Sequence, residues 1–158
     1  MRENEMEIVI KMQKTRELSP EDNRLRISAV RAAKRAYAPY SRYNVGAAVL
    51  LEDGTIIEGN NQENIAYPSG LCAERVALFY AGASHPAIPV VSIAIVAVKD
   101  GEVRESVSPC GACRQALLET EQRYGKPVRV LMCGRDEVVV VFSAKDLLPL
   151  SFGMEQVE

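Results

Sequence analysis

The stretch "PSGLCAERVALFYAG", residues 68–82, joins a turn to an apolar segment of helical periodicity. Cys72 stands where this helix is predicted to begin, and Glu74 follows it by two residues. The unpaired amide N–H groups and the partial positive charge at a helix start favour a thiolate. Whether Cys72 is a small buried residue or part of a reactive centre therefore depends on the partners that the rest of the chain supplies.

A second helix is predicted to begin at a cysteine, in "SPCGACRQALLETEQRYG", residues 108–125. Its Cys110 and Cys113 form a Cys-x-x-Cys unit, which on its own fits either a redox dithiol or half of a zinc site. If the two helix starts meet, Cys72, Cys110 and Cys113 surround one point and leave the fourth tetrahedral position of zinc open. Glu74 would then lie beside that position, where a carboxylate is suited to proton transfer.

This combination matches the pattern of zinc deaminases, in which a metal ligand, one spacer and Glu are followed by Pro-Cys-x-x-Cys. The chain spells the pattern "CAE" and "PCGAC", in an all-cysteine form. Because three thiolates outweigh the charge of one Zn²⁺, we expect a cation close by. Arg75 and Arg114 each directly follow a residue of the pattern, and we expect Arg75 to donate hydrogen bonds to the cysteine sulfurs. The alternative is that Arg75 faces solvent.

Composition narrows the classes of protein that the chain can belong to. Its 158 residues, 47% hydrophobic and 25% charged, predict one globular domain over residues 1–158. A net charge of -2 provides no basic surface for nucleic acid, and no apolar run reaches the roughly 20 residues of a membrane span. The apolar stretch near the amino terminus is too short for a secretory signal, so a cytoplasmic location is expected. In that reducing compartment, four cysteines indicate metal binding or chemistry rather than disulfides.

Strand and helix patterns alternate along the chain. A helix is predicted within residues 18–38, with Ser19 as N-cap and Pro20 at its first position. A hairpin is predicted over residues 45–61 around Asp53-Gly54, and a short helical turn over residues 146–148. Further strands are predicted in residues 6–12 (a candidate edge strand), 90–98, 127–134 and 138–144. The alternation predicts an α/β fold, a three-layer α/β/α sandwich around one sheet.

Taken in order, the motifs resemble those of the small, homotetrameric, zinc-dependent cytidine deaminases. The resemblance rests on residues 40–78, "SPCGACRQAL" (108–117) and "LLPLSFG" (147–153), and it runs from about Tyr37 to the carboxyl end. Residues 1–18 then form an added N-terminal extension, to which we assign no function. The resemblance implies one mixed sheet and one Zn²⁺ per subunit, held by Cys72, Cys110 and Cys113, with Glu74 as the proton shuttle.

The resemblance also implies a set of substrate-binding residues. In "NNQEN", Asn61 and Glu63 would hold the sugar hydroxyls, whose donors and acceptors complement an amide and a carboxylate. Tyr43 occupies a position beside the base where the family commonly has phenylalanine. Apart from the resemblance, the backbone N–H groups at the two helix starts, near Ala73 and Cys110, are candidate donors to the base carbonyl and the reacting centre. Tyr67 and Phe152 would reach into a neighbouring subunit's site, so that active sites are shared within a homotetramer.

The function implied is hydrolytic deamination of cytidine and 2′-deoxycytidine to uridine, 2′-deoxyuridine and ammonia, in pyrimidine salvage. The nearest alternative is a deaminase of another aminopyrimidine nucleoside, such as a nucleoside antibiotic. A polynucleotide-editing deaminase conflicts with the acidic balance of the chain. A structural zinc module needs a fourth ligand, for which Cys133 is the spare cysteine, although its apolar strand predicts a buried residue. A redox dithiol leaves "CAE" unexplained, and no catalytic role is expected for His85.

Overall fold

The computed structural model describes residues 5–153 and 156–157. These residues form one seven-stranded sheet with the spatial order β1-β7-β6-β4-β2-β3, and β5 pairs with β4 outside this path. The strands are β1 (Ile10–Lys14), β2 (Asn44–Leu51), β3 (Ile56–Asn60), β4 (Val90–Lys99), β5 (Glu102–Val103), β6 (Arg129–Cys133) and β7 (Glu137–Val141). The central strands β4 and β6 are parallel, while the other pairs are antiparallel, which confirms the expected mixed sheet.

In the described residues, three α-helices cover the sheet on both faces. They are α1 (Pro20–Ala33), α2 (Ala73–Ser84) and α3 (Gly111–Tyr124). One face of the sheet packs against α1, and the opposite face packs against α2 and α3. Strand β2 shows the alternation directly, since Ala47 and Val49 belong to the core beneath α2 whereas Ala48 and Leu50 belong to the core beneath α1. The predicted three-layer α/β/α sandwich is therefore confirmed.

Helix α1 begins as predicted and ends earlier than predicted. The Ser19 side chain accepts a hydrogen bond from the amide of Asp22 at 3.1 Å, which is the expected N-cap. The helix ends at Ala33 because the backbone of Tyr37 forms hydrogen bonds with the loop after β3. The Tyr37 amide donates to the carbonyl oxygen of Asn61 at 3.0 Å, and the Tyr37 carbonyl accepts from the amide of Glu63 at 2.8 Å. The segment after α1 is thereby joined to the loop that follows β3.

The extended segments differ from the sequence predictions mainly at their ends. The hairpin β2–β3 is confirmed, with Gly54 at a positive φ of 86° in its turn. Strand β1 is shifted towards the carboxyl end of its predicted span because it pairs with β7, from Ile10 opposite Val141 to Lys14 opposite Glu137. The two-residue strand β5 was not predicted. Short 3₁₀ turns cover Thr15–Glu17, Tyr67–Ser69 and Ala144–Leu147, the last of these overlapping the predicted turn at 146–148.

Gly59 allows α2 to lie directly on the sheet. A Cβ atom at this position in β3 would stand 2.4 Å from the amide nitrogen of Ala77 and 2.7 Å from the carbonyl oxygen of Ala73. Both atoms belong to the backbone of α2, so neither can move aside as a side-chain tip would. The close approach places the first turn of α2 on the rim of the sheet. Within the described ranges, no helix is long and apolar enough to span a membrane.

Replacement of Gly59 by Ala should destabilise the protein, because the added methyl group overlaps the backbone of α2. Overpacking of this kind costs about 2 kcal/mol in free energy of unfolding. The measurement is chemical denaturation of both proteins, followed by circular dichroism. Gly82→Ala is the matched control, since a Cβ there meets only the tip of Arg123 at 3.2 Å and alanine favours the helix. Equal unfolding midpoints for Gly59→Ala and the unchanged protein would contradict the close packing.

Candidate active site

The starts of α2 and α3 bring three cysteine sulfurs together. Cys72 is the N-cap residue of α2 and Cys110 is the N-cap residue of α3, while Cys113 is buried in the first turn of α3. The sulfur of Cys110 lies 3.8 Å from that of Cys72 and 3.5 Å from that of Cys113. All three sulfur atoms lie within 4.8 Å of one another. The predicted convergence of the two helix starts is present in the fold.

This arrangement suits a zinc ion. Zinc–sulfur bonds of about 2.3 Å in a tetrahedron separate the ligand atoms by about 3.8 Å, close to the spacings within the cluster. Both N-cap cysteines leave their sulfurs out of helix capping in the described structure, so the sulfurs are available as ligands. Among the described residues, the group that could hold a metal ion consists of Cys72, Cys110 and Cys113. Three protein ligands are typical of a catalytic zinc site, which retains one open position.

Glu74 is the buried acid of the site, with 5% of its surface exposed. It lies in the first turn of α2, directly after Ala73. Ala73 is the first residue of this helix and is fully buried in the core. Burial raises the pKa of the Glu74 carboxyl above its ordinary value, and the charge of Cys72 adds to the rise. A raised pKa suits a carboxyl to both accept and return a proton.

The electrostatics of the three thiols centre on Cys72. Its pKa is lowered to about 5, first by the neighbouring Cys113 thiol and then by the Arg75 guanidinium. The adjacent Cys72 sulfur and burial raise the pKa of the Cys113 thiol. Arg75 donates from Nη2 to the Cys72 sulfur at 3.8 Å, the contact that the sequence predicts. The Nε atom of Arg75 is buried without a hydrogen-bond partner in the described structure.

Two other residues considered in the sequence lie away from the sulfurs. Cys133 packs in the core beneath α1, on the face of the sheet opposite the cluster, where burial raises its pKa to about 12. It cannot supply a fourth ligand, which removes the basis of the structural zinc module. His85 is the C-cap residue of α2, at the other end of that helix from Cys72, and its Nδ1 is hydrogen-bonded to the Ser84 hydroxyl at 2.8 Å.

A cleft of about 540 Å³ opens beside Cys72 and Arg75. Polar loop residues and two tyrosines form most of its wall. Its lining comprises Tyr40, Ser41, Asn61, Gln62, Glu63, Asn64, Tyr67, Gly70, Leu71, Cys72 and Arg75. The cleft therefore joins the predicted sugar-binding segment "NNQEN" to the cysteine cluster.

The two predicted sugar-binding residues are held rigidly at this cleft. The Asn61 amide group bridges to β2, accepting from the Val45 amide at 2.8 Å and donating to the Tyr43 carbonyl at 2.9 Å. One Glu63 oxygen accepts from the amide of Tyr40 at 2.9 Å, and the other accepts from the Ser41 hydroxyl. This hydroxyl lowers the pKa of Glu63, which keeps the carboxylate ionised. Each side chain retains hydrogen-bonding capacity towards the cleft.

The predicted aromatic residues are placed differently from one another. Tyr67 lines the cleft of its own chain, is 75% exposed, and meets Tyr40 edge to face with ring centroids 6.1 Å apart. Phe152 is 68% exposed in the segment after the last 3₁₀ turn. Among the described residues, neither Phe152 nor the half-buried Tyr43 belongs to the cleft lining. Their contacts with substrate stay predictions.

Sequence reasoning missed Tyr40 and Ser41, which build one wall of the cleft and fix Glu63. Both residues lie in the stretch 40–78 that carries the resemblance, but no role is predicted for them from the sequence. A polar "PYS" turn shortly before a strand was the available signal.

A second cleft, of about 520 Å³, lies where residues 14–18 meet the β6–β7 turn. Two of its three lining cations, Lys14 and Arg135, are paired with Glu137 and Glu102.

Comparisons with known proteins agree with this geometry. Residues 19–125 match the family model described as the cytidine and deoxycytidylate deaminase zinc-binding region. A cytidine deaminase of Mycobacterium tuberculosis is 40% identical over 139 residues, covering 84% of this chain and 90% of that protein. One from Halalkalibacterium halodurans is 50% identical over 91 residues, covering 58% of this chain and 65% of that protein, so the match spans just under two thirds of its length.

A solved structure gives the same result. The crystal structure of cytidine deaminase from Burkholderia pseudomallei superposes with a TM-score of 0.70 at 40% identity. The superposition covers 82% of this chain and 98% of that one. The family match contains both cysteine motifs, and the cysteines of those motifs are the ones that the fold brings together. The protein therefore belongs to the cytidine and deoxycytidylate deaminase family, whose conserved region binds zinc.

Proposed function

We propose that the protein catalyses hydrolytic deamination of cytidine and 2′-deoxycytidine, giving uridine or 2′-deoxyuridine and ammonia, in pyrimidine salvage. The observation that carries the proposal is the cluster of three cysteine sulfurs at the edge of a cleft of about 540 Å³, with the buried Glu74 two residues after Cys72 in the first turn of α2. The relatives and the solved structure named above, all cytidine deaminases, support cytidine over another aminopyrimidine nucleoside.

The mechanism assigns separate tasks to the residues of the site. Cys72, Cys110 and Cys113 would hold one zinc ion per subunit, and Arg75 would stabilise the charge on the Cys72 sulfur. Bound zinc supplies a Lewis acid that lowers the pKa of a water ligand. Glu74 would take one proton from the attacking water and deliver it to N3 of the pyrimidine. It would then take the second proton from the new C4 hydroxyl and deliver it to the departing amine, leaving the C4 carbonyl of the product and ammonia. Its raised pKa suits both directions of transfer.

Substrate binding follows from the charges of the cleft. Asn61 and Glu63 would hold the sugar hydroxyls, and the amide N–H groups at the start of α2, near Ala73, would donate to the base. Arg75 is the one cation among the described lining residues, and its guanidinium faces Cys72, whereas Glu63 is anionic. A 5′-phosphate would find no partner here and would be repelled by Glu63. The charge distribution therefore favours nucleosides over nucleoside monophosphates.

The site would be completed by a second copy of the chain. Tyr67 and Phe152 are both largely exposed, and α2 presents the exposed Phe79 and Tyr80 on its outer surface. Exposed aromatic side chains of this size are typical of subunit interfaces. We propose a homotetramer with shared active sites in which Tyr67 and Phe152 reach a neighbouring subunit's cleft, with Tyr43 beside the base.

The chain is proposed to be a single cytoplasmic domain with an N-terminal addition. Residues 1–18 precede the family match, which begins at residue 19, and residues 1–4 lie outside the described ranges. Strand β1 adds an edge strand to the sheet through its pairing with β7. We assign no catalytic role to this extension.

Glu74→Gln should reduce kcat for cytidine by about 10²–10⁴-fold, because an amide cannot carry the proton between water, N3 and the amine. Zinc content should stay unchanged, since the three sulfurs are untouched. The measurement is the loss of cytidine absorbance in the ultraviolet, with metal analysis of the same sample. Glu119→Gln, at an exposed position on α3, is the control and should keep full activity. A Glu74→Gln protein with the kcat of the unchanged enzyme would disprove the proton path.

Shared active sites predict complementation between two impaired variants. Phe152→Ala should lower kcat/KM by roughly tenfold through loss of an aromatic contact. Mixed oligomers of Phe152→Ala and Glu74→Gln subunits contain some sites with an intact Glu74 from one chain and an intact Phe152 from its neighbour. Co-expression with two affinity tags, followed by assay of the purified mixed oligomer, should therefore give activity above the average of the two variants. Activity equal to that average would show that Phe152 does not act across subunits.

A further inference from the structure

Arg114 directs its guanidinium to two backbone carbonyls. Its Nε donates to the carbonyl oxygen of Pro109 at 2.9 Å, and its Nη1 donates to that of Leu147 at 3.2 Å. Arg75, by comparison, directs its Nη2 to the Cys72 sulfur. The two arginines that follow residues of the zinc motif therefore bind different groups: Arg75 binds a sulfur atom, whereas Arg114 binds two backbone carbonyls.

The first of these carbonyls lies next to a proposed metal ligand. Pro109 is buried and directly precedes Cys110, the N-cap residue of α3. The proline ring restricts its own φ, and the peptide plane that joins it to Cys110 is rigid. A hydrogen bond that holds the Pro109 carbonyl therefore also fixes the amide nitrogen of Cys110, and with it the direction in which the chain enters α3. The Arg114 side chain reaches back over that turn from the same helix. Its backbone amide also donates to the carbonyl oxygen of Cys110 at 2.9 Å, within the first turn of α3.

The second carbonyl connects this turn to the last part of the chain. Leu147 ends the 3₁₀ turn Ala144–Leu147. The next side chain on α3, Gln115, donates from Nε2 to the carbonyl oxygen of Phe152 at 3.0 Å. Consecutive residues of the metal-binding helix thus hold carbonyls at both ends of the segment "LLPLSF", residues 147–152. The exposed Phe152 side chain is presented by a backbone that α3 fixes.

We propose that Arg114 is a positioning residue for Cys110. Its two hydrogen bonds connect the Pro109 turn to the segment that ends in Phe152, and they thereby couple the metal cluster to that segment. The planar guanidinium can direct separate donors at two carbonyls, which the single ammonium of lysine cannot do in the same geometry. The inference rests on the metal site of the proposed function and is independent of which substrate is deaminated.

The experiment compares Arg114→Ala, Arg114→Lys and Arg123→Ala as zinc-loaded proteins. Arg123 is the matched control, because it also lies on α3 and also contacts a prolyl carbonyl, that of Pro86 at 3.5 Å, but far from the cysteines. Transfer of zinc to a chromophoric chelator gives the affinity. Loss of an outer hydrogen bond around metal ligands weakens metal binding by about 10- to 100-fold. We expect this loss in both Arg114 variants and unchanged affinity in Arg123→Ala.

Two further readouts separate positioning from general stability. The visible spectrum of the cobalt-substituted protein should change in both Arg114 variants, because it reports the arrangement of the sulfur ligands. Amide hydrogen exchange should rise in residues 147–153 while the central strands stay protected. Wild-type zinc affinity and spectrum in Arg114→Lys would show that charge alone suffices and would overturn the inference, as would unchanged values in Arg114→Ala. If the unchanged protein itself binds no zinc, the proposed metal site fails instead.

Discussion

Two helix starts lie side by side on one face of a mixed sheet, and the chemistry of the protein depends on their distance. Cys72 and Cys110 are the N-cap residues of α2 and α3, and Cys113 stands one turn into the second helix. Thirty-eight residues separate the first two cysteines along the chain, yet their sulfurs lie 3.8 Å apart. Like-charged thiolates repel each other, so this approach requires nearby positive charge or a bound cation. The two helix starts and Arg75 supply positive charge, and a zinc ion is a suitable bound cation.

Small residues make the approach sterically possible. Gly59 in β3 and the alanines of α2, including Ala73 and Ala77, let the helix backbone lie against the sheet. The same packing buries Glu74 and sets its raised pKa. Core packing and the proposed proton transfer are therefore linked, because any change that lifts α2 away from the sheet also hydrates Glu74.

The fold and the metal cluster were largely predictable from the sequence, because both follow from local patterns. Alternating strand and helix periodicities identified the layers, and "CAE" with "PCGAC" identified the three sulfurs and the acid. The end of α1 was not predictable, since Tyr37 leaves the helix to pair with residues 61–63, a contact between distant parts of the chain. The role of Ser41 in fixing Glu63 and the role of Arg114 in binding Leu147 are non-local for the same reason. Neither contact has a periodicity that a sequence could display.

We propose that three sulfurs hold one zinc ion and leave its fourth position to solvent or substrate. X-ray diffraction from crystals of the purified protein, recorded on both sides of the zinc absorption edge, tests it most directly. A catalytic zinc site predicts one anomalous peak per chain, equidistant from the sulfurs of Cys72, Cys110 and Cys113, with no fourth side chain in contact. A peak elsewhere, a fourth protein ligand, or zinc-free crystals of active enzyme would contradict it.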